Sequence, residues 1–247
     1  MNASLFHVAT ALNANARWQE LITQNIAASS IPGYRKQDLS FQAIQEGLAL
    51  NSAGEPQSFT LPRVSAVTNF RPGELRYTGL PTDLAVDGSA FLAVQMPDGA
   101  TAYTRDGEFQ ISSSGQLVTK QGYAVLGDSG PIQLDPRNPA PLSVSSTGEV
   151  SQGADNKGTI RLLEFNNPQL LTQINGGFFL ANRPGAVPQP ADNSTVRQGF
   201  LETANTSPTL EMANLILAMR MYEANQRLIQ GHDERMGRTI SELGNPA

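Results

Sequence analysis

The sequence predicts an α+β protein, with long helices at its N- and C-terminal ends and a mostly antiparallel, β-rich segment between them. Three observations predict it. Most of the 22 Gly and 16 Pro fall between residues 47 and 207, a density of turn chemistry that belongs to short strands. The two flanks instead carry apolar residues at helical spacing. Asp-Gly pairs at 87–88, 98–99 and 106–107 punctuate short alternating runs, the pattern of β-hairpins. The 247 residues suffice for one large or two modest domains. They divide into 1–46 (helix and following turn), 47–207 (β-rich domain) and 208–247 (long helix).

The first helix is expected from about Ser4 to Ala28. Leu5, Val8, Leu12, Ile22 and Ile26 follow 3–4 spacing, with Asn15 and Gln19 completing a heptad frame. Ser29, Ser30 and Pro32-Gly33 end it, because proline disfavours helix at the residue before it. In the middle, strands are expected at 83–87, 90–96, 102–105, 108–111 and 116–119. Later ones follow at 132–134, 142–144, 159–165, 177–181 and 199–202. Pro208 and Thr209 precede the last helix, whose pattern runs to Leu243. Its d positions are Leu215, Tyr222, Ile229, Met236 and Leu243, and its a positions are Met212, Met219, Gln226, Asp233 and Ile240. A regular 3.5-residue period of this length points to coiled-coil pairing of the termini or of separate chains. Gly231 and Gly237 each cost about 1 kcal/mol relative to Ala, so the helix needs a partner surface.

Composition excludes several functions. Without Cys there is no disulfide scaffold, Cys-ligated metal or Cys nucleophile. Two His, His7 and His232, make a His-rich metal centre implausible, and no cofactor or metal site is expected. A net charge of −5 argues against nucleic-acid binding. No run approaches the roughly 18 apolar residues of a membrane span, and the N-terminus lacks the pattern of a cleaved signal peptide. Asp83 with Asp87, or Asp106 with Glu108 (two apart on a strand and so on one face), could be read as an acid/base pair for glycoside hydrolysis. The Asp residues that precede Gly are explained more simply as turn formers. Trp18 borders the first helix's stripe and reads as a packing residue.

Several motifs together resemble the flagellar basal-body rod and hook proteins. The first is Gln24-Asn25-Ile26-Ala27-Ala28-Ser29-Ser30-Ile31-Pro32-Gly33-Tyr34-Arg35-Lys36, with Ile31 where the family usually has Thr. The second is Leu84-Ala85-Val86-Asp87-Gly88, then Tyr103-Thr104-Arg105-Asp106-Gly107-Glu108-Phe109 and Gly115-Gln116-Leu117-Val118. The third is Gln198-Gly199-Phe200-Leu201-Glu202-Thr203-Ala204-Asn205, followed by Tyr222-Glu223-Ala224-Asn225. They run in order along essentially the whole chain. Arg71–Gly79 resembles the segment before the middle signature in rod proteins, and Gly127–Ile132 resembles the proximal-rod more than the distal-rod type.

The resemblance implies a structural, non-enzymatic subunit. Such a subunit is exported unfolded by the flagellar type III apparatus and polymerises with itself and other rod proteins into the axial shaft across the periplasm. The terminal helices would form a coiled-coil-like inner layer and the β-domain would lie outside. The expected assembly contacts are Leu5, Leu12, Ile22, Asn25 and Ile26 on the first helix, and Leu215, Met219, Tyr222, Asn225, Ile229 and Met236 on the second. Pro32, Gly33, Tyr34, Asp87, Gly88, Tyr103, Thr104, Arg105, Asp106, Gly107, Glu202 and Asn205 are the matching motif positions. Two alternatives stand beside this reading: a periplasmic polysaccharide- or peptidoglycan-cleaving β-domain, and a β-rich adhesin or binding module.

Overall fold

The computed structural model describes residues 3–50, 56–191 and 193–243, with the side chains of 3–9, 42–50, 56–63, 239, 240, 242 and 243 left undescribed. The chain forms two compact units. One contains helix α1 (Ala3–Ala27), strands β1 (Gln37–Leu50) and β2 (Pro56–Thr68), and helix α2 (Pro208–Leu243). Helix α1 coincides with its expected span to within one residue, and α2 begins two residues before its expected start. The β1–β2 ribbon was not expected. Pro62 lies inside β2, where its missing N–H is tolerated because each strand of a two-stranded sheet is an edge.

The other unit is built from residues 27–36 and 68–207. Its strands are β3 (Leu75–Tyr77), β4 (Leu84–Asp87), β5 (Phe91–Gln95), β6 (Thr101–Thr104), β7 (Phe109–Ile111), β8 (Leu117–Thr119), β9 (Ala124–Gly127) and β10 (Gly130–Pro131). They continue as β11 (Leu142–Val144), β12 (Glu149–Gln152), β13 (Asp155–Thr159), β14 (Leu162–Phe165), β15 (Thr172–Ile174), β16 (Phe178–Leu180), β17 (Pro188–Pro190), β18 (Thr195–Gln198) and β19 (Phe200–Glu202). The largest sheet runs β15-β16-β6-β5-β9-β8-β7. Strands β11-β12-β13 form a second sheet, and the pairs β18–β4 and β19–β3 are separate. The pairings of this unit are antiparallel.

Strand β5 is central, and its period-2 alternation feeds two cores. Leu92 and Val94 pack with Leu84, Phe109, Leu117 and Phe178. Phe91 and Ala93 pack with Tyr103, Phe165 and Phe179. The Asp-Gly reading needs correction here. Only Asp98-Gly99 closes a hairpin, β5–β6, with Gly99 at φ +83°. Asp87-Gly88 instead carries the chain from the β18–β4 pair to the large sheet, and Asp106-Gly107 links β6 to β7, which share that sheet without being neighbours. Gly107 lacks a positive φ altogether. It is required because a Cβ there would lie 1.6 Å from the Leu84 carbonyl oxygen. The expected strand at 132–134 is also absent. Its residues cross the end of the sheet, where Ile132 N–H donates to Val125 O and Leu134 N–H to Gly115 O.

Candidate functional site

Within the β-rich unit, the segment that follows α1 runs beside the segment that precedes α2. Gly33 N–H donates to Glu202 O at 2.7 Å, and Asn205 N–H to Tyr34 O at 3.1 Å. Asn205 ties three stretches together. Its Oδ1 accepts from Lys36 N at 2.7 Å, and its Nδ2 is shared between Asn69 O (2.7 Å) and Arg71 O (2.9 Å). Gly33 is obligatory at its position. Its φ is +65°, and a Cβ would sit 2.3 Å from the Arg105 carbonyl.

At the centre of this clamp lies Glu202, 1% exposed, between Arg35 (1%) and Arg105 (4%). Glu202 Oε1 accepts from Arg35 Nη1 at 2.6 Å and from Gly73 N at 2.7 Å, while Oε2 faces Arg105 Nη1 at 3.5 Å. Arg35 Nη1 also donates to Arg71 O at 3.0 Å. Arg105 donates to Val86 O (3.2 Å) and Gly88 O (2.7 Å), and its guanidinium stands 5.1 Å from the centre of the Phe91 ring. Neither arginine Nε has a hydrogen-bond partner among the described residues. Burial pulls Arg105 down to about 10. The Glu202 carboxylate opposes that shift, the Arg35 charge adds to it, and Glu164 opposes it. A half-open cavity of about 510 Å³ lies beside the cluster, walled by Phe70, Phe91 and Phe165.

The remaining motif residues serve the fold. Pro32 is half-buried and Tyr34 buried. Asp87 pairs with Arg197 at 2.7 Å on the surface. Gly88 packs against Ser194, whose Oγ donates to Glu164 Oε1 at 2.7 Å. The Tyr103 ring meets Phe165 edge-on at 4.9 Å, and burial raises the pKa of its hydroxyl. Thr104 Oγ1 donates to Gly177 O and accepts from Asp106 N. Asp106 Oδ1 accepts from Glu108 N at 3.0 Å.

The helices present a different surface. On α1, Ala14, Asn15, Leu21, Ile22 and Asn25 are buried, and Leu12, Trp18 and Ile26 are half-buried. The side chains of Leu5 and His7 lie outside the described residues. Asn25 forms a two-bond bracket with Gln37: Nδ2 donates to Gln37 O and Oδ1 accepts from Gln37 N, both at 2.9 Å. On α2 the expected stripe is covered along one leg only. Leu215, Tyr222, Asn225, Ile229 and His232 are half-buried, with Glu211 and Ala218 buried between them. The other expected leg (Met212, Met219, Gln226 and Asp233) is exposed, as is Met236. The covered stripe uses positions one residue earlier, because 211, 218, 225 and 232 complete the 3–4 alternation with 215, 222 and 229. Leu210, Leu217, Met221 and Leu228 flank that stripe on one side. Met212, Ile216 and Met219 flank it on the other. All seven are exposed.

Sequence reasoning quoted Arg35 and Gly73 within motif segments without a role for them, and missed Leu21 and the flank residues Leu210, Ile216, Leu217, Met221 and Leu228. The flanks were legible as extra apolar residues outside one heptad frame. The partnership of Arg35 with Glu202, across 167 positions, had no local signal.

Comparison with known proteins agrees with the motifs. Residues 85–152 match the flagellar hook protein FlgE/F/G D1 domain, and residues 197–242 match the flagellar basal body rod FlgEFG C-terminal model. The chain is 33% identical to the flagellar basal-body rod protein FlgF of Caulobacter vibrioides, over 91% of each chain. It is 32% identical to FlgF of Mesorhizobium japonicum over 99% of each. It is 31% identical to the rod protein FlgG of Buchnera aphidicola from Acyrthosiphon pisum, over 98% of this chain and 100% of the relative.

The chain belongs to the flagellar basal-body rod proteins.

This is a family of structural subunits, not enzymes, and the hydrolase alternative falls. Its chemistry also fails locally. Asp106 is buried in its turn, Glu108 is paired with Lys120 at 2.7 Å, and neither lines the cavity. Among the described residues no cluster of three His, Asp or Glu is placed to hold a metal ion. No described helix is long and apolar enough to cross a membrane.

Proposed function

We propose that this chain is a proximal-rod subunit of the FlgF type, exported by the flagellar type III apparatus and polymerised with other rod proteins. Its terminal helices form a coiled-coil-like layer against neighbouring subunits. The contacts are Leu5, Leu12, Ile22, Asn25 and Ile26 on α1, and Leu215, Met219, Tyr222, Asn225, Ile229 and Met236 on α2. The FlgF proteins of Caulobacter vibrioides and Mesorhizobium japonicum, at 33% and 32%, stand just above the FlgG relative at 31%, while FlgF of Escherichia coli stands below it at 27%; the first two support the subtype.

One observation carries the reading. α2 bears apolar side chains on both flanks of its covered stripe, with Ile216 55% and Met219 53% exposed. A surface helix of a free-standing protein shows one apolar face; this one is apolar around most of its first half. Completing the burial of such a side chain gains roughly 1 kcal/mol, about half of the 1.5–3 kcal/mol for full burial. Neighbours on two sides would collect that gain repeatedly along a helix of roughly 54 Å.

The test is a double substitution on one flank, Ile216→Glu with Met219→Glu. Incorporation into basal bodies and swimming are expected to be lost, while the purified subunit keeps its urea unfolding midpoint. Normal incorporation and motility would overturn the reading.

A further inference from the structure

We propose that Glu202 is the closing latch of the β-rich unit, so that the unit cannot complete its fold until the segment 193–205 has docked. The geometry rests on where that segment reaches. Strand β18 pairs with β4, and β19 with β3. Gln198 Nε2 donates to Pro81 O and Leu142 O, and its Oε1 accepts from Val144 N. Ser194 Oγ accepts from Ala90 N and donates to Glu164. Asn205 holds Tyr34, Lys36, Asn69 and Arg71. This short segment therefore joins most of the sequentially distant parts of the unit. Its partners lie up to 169 positions away, and each such closure costs chain entropy before any contact rewards it.

The charges give the closure its all-or-none character. Arg35 and Arg105 are buried with a single carboxylate between them, and Gly73 N–H points at the same carboxylate. Without Glu202 two guanidinium groups and a backbone donor would face an uncompensated, water-poor site, which is among the costliest arrangements a core can hold. An intermediate in which 31–36 and 105 are packed but 202 is absent is therefore disfavoured, and these parts close together with β19. A chain emerging from its N-terminus has residues 1–192 before 193–205, so the unit remains open until residue 205 has been made. Resting on the export reading above, this keeps an unfinished subunit from folding prematurely.

The experiment is refolding of the full chain from urea with pulsed hydrogen exchange read by mass spectrometry. The amides of 31–36, β3, β4, β18 and β19 are expected to gain protection in one late phase, after those of β5, β6, β8 and β9. In the native state, Glu202→Gln is expected to raise exchange of that same late set together, by about a hundredfold, the scale of stranding a buried charge. Leu117→Ala, a core substitution remote from the latch, should instead loosen β7–β9. For Glu202→Ala, acetate is expected to restore protection of the late set where chloride at equal ionic strength does not, because the half-open cavity admits a small carboxylate to both arginines. The latch is overturned if β18 and β19 in the unmodified chain are protected before or with β5 and β6. It is also overturned if Glu202→Gln leaves the late set unchanged, or if acetate and chloride act alike. None of these readings depends on rod assembly, so failure of the latch and failure of the rod reading are separable.

Discussion

Asp106 offers a pH experiment with a sign that can be worked out beforehand. Burial raises its carboxyl from 3.8 to about 6. The hydrogen bond from Glu108 N–H opposes the shift, the Glu108 charge adds to it, Lys120 opposes it and Asp83 adds to it. A carboxyl with a raised folded-state pKa binds its proton more tightly when folded. Its contribution to stability is therefore greatest below about 4, declines as pH rises through the window from about 4 to 6, and stays at its lowest above 6. A shift of about two units corresponds to roughly 3 kcal/mol. Asp106→Asn keeps an acceptor for Glu108 N–H and cannot ionise. Its extra amide protons need a partner, which offsets part of the gain at a cost of about 1–3 kcal/mol.

The decisive quantity is the difference in stability between variant and parent chain, followed across pH. Urea unfolding at pH 7.5, 6 and 4.5, monitored by near-ultraviolet circular dichroism of the Tyr103–Phe165 cluster, supplies it. The difference should move in the variant's favour by roughly 2 kcal/mol between pH 4.5 and 7.5. A difference flat across that range would refute the reasoning.

Other outcomes follow from the same geometry. Asn25→Ala removes both bonds of the bracket to Gln37 and should cost roughly 2–4 kcal/mol, seen as faster amide exchange at the end of α1 and the start of β1. Gly33→Ala places a methyl group on the Arg105 carbonyl at a positive φ and should lower the unfolding midpoint of the β-rich unit by more than the roughly 1 kcal/mol of an ordinary left-handed penalty. Arg105→Lys keeps the charge but loses the fork that reaches Val86 O and Gly88 O; it should destabilise by about 2–3 kcal/mol in thermal melts of the β-rich unit.

The helices were legible because each signals locally: a 3.5-residue period, then Pro32-Gly33 or Pro208 as a boundary. Strands β5 to β8 were legible through alternation and turn residues. Asp87-Gly88 and Asp106-Gly107 misled because a tight dipeptide specifies a bend, not which strand pairs with the next. Gly107 is fixed by contact with β4, something no local pattern encodes. The β1–β2 ribbon was missed because Pro62 argues against a strand unless both edges are free. The clamp was named by its motif residues without a role for them. Arg35, Arg105 and Glu202 stand far apart in the chain, and only the fold brings two arginines to one carboxylate. On α2, a single heptad frame hid the apolar flanks, because Leu217 and Ile216 fall outside the a and d positions chosen.

The central claim is that this chain is built into the rod. Basal bodies isolated from cells carrying a tagged copy, with the tag located by electron microscopy, test it most directly. The tag is expected on the rod between the membranes. A tag found in the cytosol or along the filament would contradict it.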